Sequence, residues 1–203
     1  HEHGLDLIDF AGFSVNAHAN AAGNPRALYR NRLKPEGFVN APMTAVPVSL
    51  FDEAPSGDGG AAVIVTRTER ALDMVPRPVQ ITGSAIATDA LALHDRRDIL
   101  WLSAAEQSAR RAMRAAGVDH DAIDVFESTG LYQVVEVAQQ LRGTAADCQV
   151  VGAKVGMAQN LGGSGATAVT HILRKISGQT QQAMMARPIV AIIVPRPFLI
   201  TSQ

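Results

Sequence analysis

The chain has 203 residues, 47% of them hydrophobic, and 18 basic against 19 acidic side chains give it a formal net charge of -1. Those values suit one globular unit or two small ones and exclude a disordered or fibrous chain. Without basic clusters or interleaved aromatics, the near-neutral balance also argues against a nucleic-acid surface and leaves small molecules or proteins as partners.

The first block, HEHGLDLIDFAGFSVNAHANAAGNP, begins directly in a helical pattern: Leu7, Phe10, Val15 and Ala19 recur at helical spacing until Asn24-Pro25 stops them. Pro35, Pro42 and Pro47 then exclude a continuous helix and predict a loop from Leu33 to Pro47. SGDGGAAVIVTRTERALDM reads as a glycine-rich turn, a strand and a short helix from Glu69. After Pro76-Arg77-Pro78 a second series opens with the strand VQITGSAIAT. The helix SAAEQSARRAMRAAG follows, with Ser103 and Glu106 at capping-box spacing, Ala105, Ala109, Met113 and Ala116 on one face and Gly117 at its end. DHDAIDVFE supplies a strand, and GLYQVVEVAQQLRG a helix with Leu131, Val134, Ala138 and Leu141 on one stripe. GAKVGMAQN and ATAVTHIL read as two strands around NLGGSG. From Ile176 the chain reads as a linker, and the apolar run Ile189–Val194 is too short to span a bilayer and reads as a strand. This succession predicts an α/β sheet layered with helices.

Few residues stand out chemically. In NLGGSGAT, Asn160 to Thr167, glycines let the backbone turn tightly and aim N–H groups at a developing oxyanion, although a plain glycine hairpin has the same pattern. SGDGG lacks the lysine of a phosphate loop and reads as a structural turn. Of His1, His3, His18, His94, His120 and His171 none has a metal spacing; His18 is the candidate ligand-binding histidine, and His171 reads as a core residue. Cys148 has no internal disulfide partner, and nothing near it in sequence lowers its pKa, so it is not read as a nucleophile. With no basic-then-apolar leader in view, the expected location is the reducing cytoplasm. Glu127 ends a strand at the edge where open α/β sheets place their sites, which suits an acid, a hydrogen-bonding group or a carboxylate that organises a loop.

NAHANAAGNPRALYR, VPVSLFDEAPSGDGGAAVIVT, RRAMRAAGVDHDAIDVFE, STGLYQVVEVAQQLRG and KVGMAQNLGGSGATAVTHILRK, in this order, resemble thiolases. The resemblance runs from His1 to about Lys175 and is strongest to the sterol-carrier-protein-type and archaeal acetyl-CoA acetyltransferase-like branch. It implies a layered fold of duplicated five-stranded sheets with helices, represented here in part. Residues 1–50 would be the loop domain over the coenzyme A site, 51–76 the last strand and helix of the first half, 77–175 the second half and 176–203 a tail of unknown role.

The implied chemistry is Claisen condensation or thiolytic cleavage of a 3-ketoacyl-CoA. The acyl-CoA serves as substrate with no tightly bound cofactor and no metal. Asn160, Gly162 and Gly163 would lie near the oxyanion, Ser128, Thr129 and Gly130 would form the helix start under the thioester, and His18 would contact coenzyme A. The family's nucleophilic cysteine would lie upstream of His1. Where many thiolases carry a second catalytic cysteine, this chain has Asn160. The resemblance also implies that several tens of residues, with a catalytic loop, an interior strand and a helix, are absent between Glu127 and Ser128. The implied assembly is a homodimer or higher oligomer. The alternative is a thiolase-fold aldolase or lyase, or a non-catalytic subunit, working with an OB-fold acyl-CoA-binding partner.

Overall fold

The computed structural model describes residues 4–53, 59–127, 130–176 and, in backbone only, 190–193. It divides into two compact units: the described residues up to Gly59 together with Ala146–Gln149, and the described residues of Gly60–Ala145 and from Val150 onward.

In the first unit, α1 spans Leu7–Gly23. The Asp6 backbone N–H donates to the Asp9 carboxylate at 2.8 Å, which satisfies one free amide of the helix start. Asn24 is extended, as the residue before a proline prefers, and the helix stops there. The Ser14 hydroxyl donates to the Phe51 carbonyl at 2.8 Å and ties α1 to the end of the hairpin β1 (Met43–Ala45) and β2 (Val48–Ser49). Within the proline-rich stretch Pro35 opens a short helix, α2 (Pro35–Val39), because its fixed φ suits a first helical position and its missing N–H costs nothing there. Phe38 of α2 is fully buried.

The second unit is built on one six-stranded sheet, with β3 (Ile64–Arg67), β4 (Val79–Thr88), β5 (Val125–Glu127), β6 (Val155–Gly162), β7 (Thr167–Lys175) and β8 (Val190–Ile193) in the order β3-β8-β4-β7-β6-β5. Every pairing is antiparallel except β5 with β6, which is parallel. Three helices join the strands: α3 (Thr68–Met74), α4 (Ser103–Ala116) and α5 (Gly130–Arg142).

Because successive strand residues face opposite sides, β6 and β7 serve two cores. Val155, Met157 and Ile172 pack with Ala112 of α4 on one face. Ala158 and Leu173 pack with Val134, Val137, Ala138 and Leu141 of α5 on the other. The second contact is close: a Cβ on Gly156 would run into the Val137 side chain, so only glycine lets α5 lie this near β6. Gly117, at φ 63°, ends α4 as the sequence predicts.

The layered α/β architecture is the one expected from sequence, with one six-stranded sheet in the second unit among the described residues, but two details differ. Ser103 does not cap α4: Leu102 holds the cap position, and the Ser103 hydroxyl instead accepts a hydrogen bond from the Gln107 amide at 2.9 Å. Glu106 is drawn to the Trp101 indole N–H, at 2.8 Å, and so does not complete a capping box. Finally, β5 and β6 pair directly and β5 ends the sheet, so among the described strands any further neighbour of β5 belongs at the edge and not in the interior.

Candidate functional site

The site is assembled at the C-terminal end of the parallel pair β5–β6, the position where open α/β sheets gather functional groups. Glu127 closes β5 and is in register with Ala158 of β6. Ala158 lies under α5, so Glu127 and, two residues further along β6, Asn160 share the face that α5 covers.

Asn160 accepts a hydrogen bond through Oδ1 from the Gly130 backbone N–H at 2.8 Å. Gly130 is the first residue of α5, so the amide of Asn160 satisfies a helix-start donor that has no partner within the helix. Pointing Oδ1 at Gly130 leaves Nδ2 as a donor. Gly162 ends β6, Gly163 opens the turn at φ 55°, and the Gly165 N–H closes it on the Gly162 carbonyl at 3.0 Å.

Two titratable groups border this arrangement. Burial, and then the negative charge of Glu136 on α5, push the pKa of the half-buried Glu127 above the usual 4.5 of a glutamate. His171 is the β7 partner of Ala158 and so faces the same side. Burial pushes its pKa below the usual 6.5, which favours the neutral ring at neutral pH. His171 is half-buried and not in the core as expected, and its Nδ1 is buried without a hydrogen-bond partner. Together these groups offer hydrogen-bond donors for an oxygen that gains negative charge and a carboxyl able to hold a proton, but no thiol.

His18 is in the first unit, where its Nδ1 donates to the Asn31 carbonyl at 2.8 Å and its ring meets Phe51 edge-on at 5.5 Å. A carbonyl can only accept, so Nδ1 carries a proton. Ser128 and Thr129 lie outside the described residues. Cys148 is half-buried, in the turn Ala146–Cys148 of the first unit. Among the described residues no three His, Cys, Asp or Glu side chains gather as a metal site, and no helix is long and apolar enough to cross a membrane.

Sequence reading missed Asp124. Its carboxylate accepts the Lys154 and Val155 N–H groups at 2.8 and 3.0 Å, which hold its pKa below the usual range and fix where β6 starts beside β5. Both partners are some thirty residues away, so no local pattern announces them.

A family profile described as "Thiolase C-terminal domain-like" matches residues 127–175, from the end of β5 through β7. An acetyl-CoA acetyltransferase of Methanothermobacter thermautotrophicus is 31% identical over 230 residues, covering 86% of this chain and 60% of the relative. The chain belongs to the thiolase superfamily. Solved structures agree on the thiolase-like fold. One described as an Ltp2-ChsH2(DUF35) aldolase aligns with a TM-score of 0.72 and 17% identity over 86% of this chain and 60% of that one. A monomeric SCP2-thiolase like protein type 1 from Mycobacterium smegmatis aligns with a TM-score of 0.59 and 16% identity over 93% and 53%. A sterol carrier protein 2 of Oryctolagus cuniculus, 21% identical over 229 residues that cover 83% of this chain and 42% of the relative, supports the sterol-carrier-protein-type branch of the superfamily. The chain spans about three fifths of the length of the archaeal acetyltransferase. The alignment with that thiolase runs over 230 residues, more than the 203 of this chain, so it passes positions of the relative that have no counterpart here.

Proposed function

We propose that the chain is part of a thiolase-type acyl-CoA acyltransferase that joins or cleaves carbon–carbon bonds next to a coenzyme A thioester. The observation that carries this reading is the Asn160–Gly130 hydrogen bond, which joins the glycine hairpin to the start of α5 within the stretch matched to the thiolase C-terminal domain. Both directions of Claisen chemistry pass through an oxyanion, and fixed donors aimed at it lower the barrier. In this reading Asn160 Nδ2 and the backbone of Gly162 and Gly163 are such donors. In the same reading Gly130, the first residue of α5, and the Ser128 and Thr129 that precede it in sequence lie under the thioester, and His18 contacts coenzyme A. Coenzyme A enters as substrate. The nucleophilic thiol is not one of these residues: none of them is a cysteine, and Asn160 has no ionisable group. A homodimer in the cytoplasm is the proposed working form.

Thiolysis of a 3-ketoacyl-CoA by the intact protein tests the assignment. Consumption of coenzyme A is expected, with kcat about 100-fold lower in Asn160→Ala, the scale of losing one oxyanion donor. Wild-type turnover that Asn160→Ala leaves unchanged removes Asn160 from the reaction. The second reading, a thiolase-fold aldolase or lyase acting with an OB-fold acyl-CoA-binding partner, is favoured by the likeness to the Ltp2-ChsH2(DUF35) aldolase. It predicts cleavage of a 3-hydroxyacyl-CoA to a carbonyl product without uptake of free coenzyme A.

A further inference from the structure

Arg96 lies in the segment between β4 and α4, only 7% exposed. Its Nε donates to the Ala90 carbonyl at 3.0 Å within its own segment. Its other two nitrogens reach across to the tip of the β6–β7 turn, Nη1 to the Ser164 carbonyl and Nη2 to the Ser164 hydroxyl, both at 2.9 Å. All three acceptors are neutral. Burying a cation is costly unless it is fully hydrogen-bonded, so a residue that serves only to fill space would not be an arginine here.

The turn it grips needs an external hold. Gly162, Gly163 and Gly165 make it conformationally free, and Gly165 sits at φ 83°, a conformation side chains rarely adopt. The Arg96 segment closes on the turn from one side: the Asp89 N–H donates to the Ala166 carbonyl at 2.7 Å, and the Ser164 hydroxyl to the Leu91 carbonyl at 3.4 Å. A Cβ on Gly165 would come within 2.8 Å of Leu102. Only Leu161 and Gly162 separate Asn160 from Gly163, so the strand residue that bonds Gly130 lies three residues before the turn.

We propose that Arg96 is a positioning residue, a two-pronged clamp on Ser164 that holds the glycine turn and thereby aims Asn160. Lysine would supply the charge but not the planar fork that reaches the carbonyl and the hydroxyl together. The inference rests on the reading of Asn160, Gly162 and Gly163 as the oxyanion side of the site.

The test compares Arg96→Met, Arg96→Lys and Ser164→Ala with the wild type in the intact protein. Hydrogen exchange is followed at the Gly165 and Gly130 amides, beside thiolysis kinetics. In Arg96→Met and Arg96→Lys, exchange at Gly165 is expected to accelerate about tenfold, the factor carried by one hydrogen bond to a charged group. Exchange at Gly130 should accelerate with it, and kcat should fall while KM for the acyl-CoA stays near wild type. Ser164→Ala should act in the same direction, more weakly, and add little on top of Arg96→Met. If Arg96→Met does not fold, Ser164→Ala decides by the same readings. Unchanged Gly165 exchange in a folded variant overturns the clamp, and unchanged Gly130 exchange overturns the positioning role. If the wild type has no thiolase turnover, the proposed reaction fails while the two exchange readings still decide the clamp.

Discussion

Glu127 and His171 stand on either side of Ala158, and burial favours the uncharged form of each, which gives stability opposite pH dependences. The raised pKa of Glu127 means that the unfolded chain releases this proton before the folded one does. Its effect is therefore to remove stability as pH rises above 4.5. The lowered pKa of His171 means that the unfolded chain binds a proton first, so stability is removed as pH falls below 6.5. Glu127→Gln should raise the urea midpoint at pH 7 and give no gain below pH 4.5, where the unfolded glutamate is itself protonated. A gain of equal size at both pH values would show that the effect is packing and not ionisation. Sequence pointed to Glu127 through its place at a strand end. Nothing local showed that burial, and then Glu136, would raise its pKa or that His171 would be left with an unpartnered Nδ1, because both depend on how α5 packs on the sheet and how β7 pairs within it. Arg96 and Asp124 were hidden for the same reason: their partners, Ser164 and Lys154–Val155, are tens of residues away.

The strands and helices themselves were largely readable: the α5 stripe packs on the sheet, whereas in α4 the fully buried face is Ala104, Ser108 and Ala112, one residue before the predicted stripe of Ala105, Ala109, Met113 and Ala116, which is partly buried beside it. Val134, Ala138 and Leu141 are buried as predicted, whereas Leu131, on the same stripe, is 43% exposed in the first turn of α5. Strand order was not readable, because pairing joins segments distant in sequence: β8 was legible as an apolar run, but its insertion between β3 and β4 was not. Nor did the sequence show how closely α5 approaches β6. Gly156→Ala tests that approach. Its new methyl would have to displace Val137 in a filled core, and overpacking of this kind costs about 1–3 kcal/mol. Gly12→Ala in α1 is the control: nothing lies near its added Cβ, and alanine should stabilise the helix by about 0.5–1 kcal/mol. Chemical denaturation of both variants checks the pair of opposite signs. A neutral Gly156→Ala would mean that α5 yields easily and does not hold Gly130 against Asn160.

At the scale of the molecule, several observations meet at the junction of β5 and α5. β5 is three residues long and ends the sheet, with Phe126 at its centre 56% exposed. An exposed apolar edge strand is an invitation to pair, and natural sheets usually shorten, charge or cover such edges. The thiolase C-terminal match begins at Glu127, and the alignment with the archaeal acetyltransferase passes positions that this chain lacks. An additional segment between Glu127 and Ser128 that lays a strand along β5 would cover Phe126 and bring further groups to Glu127 and Asn160, the end of the sheet where the candidate chemistry lies. Mass spectrometry of proteolytic peptides from the natural source checks this prediction. Extra residues are expected after the Val125-Phe126-Glu127 sequence, whereas a peptide reading continuously through Glu127, Ser128, Thr129 and Gly130 would refute it. In that case the bare edge should itself associate, and Phe126→Lys should lower concentration-dependent self-association in sedimentation velocity, since a charge on an edge strand opposes pairing.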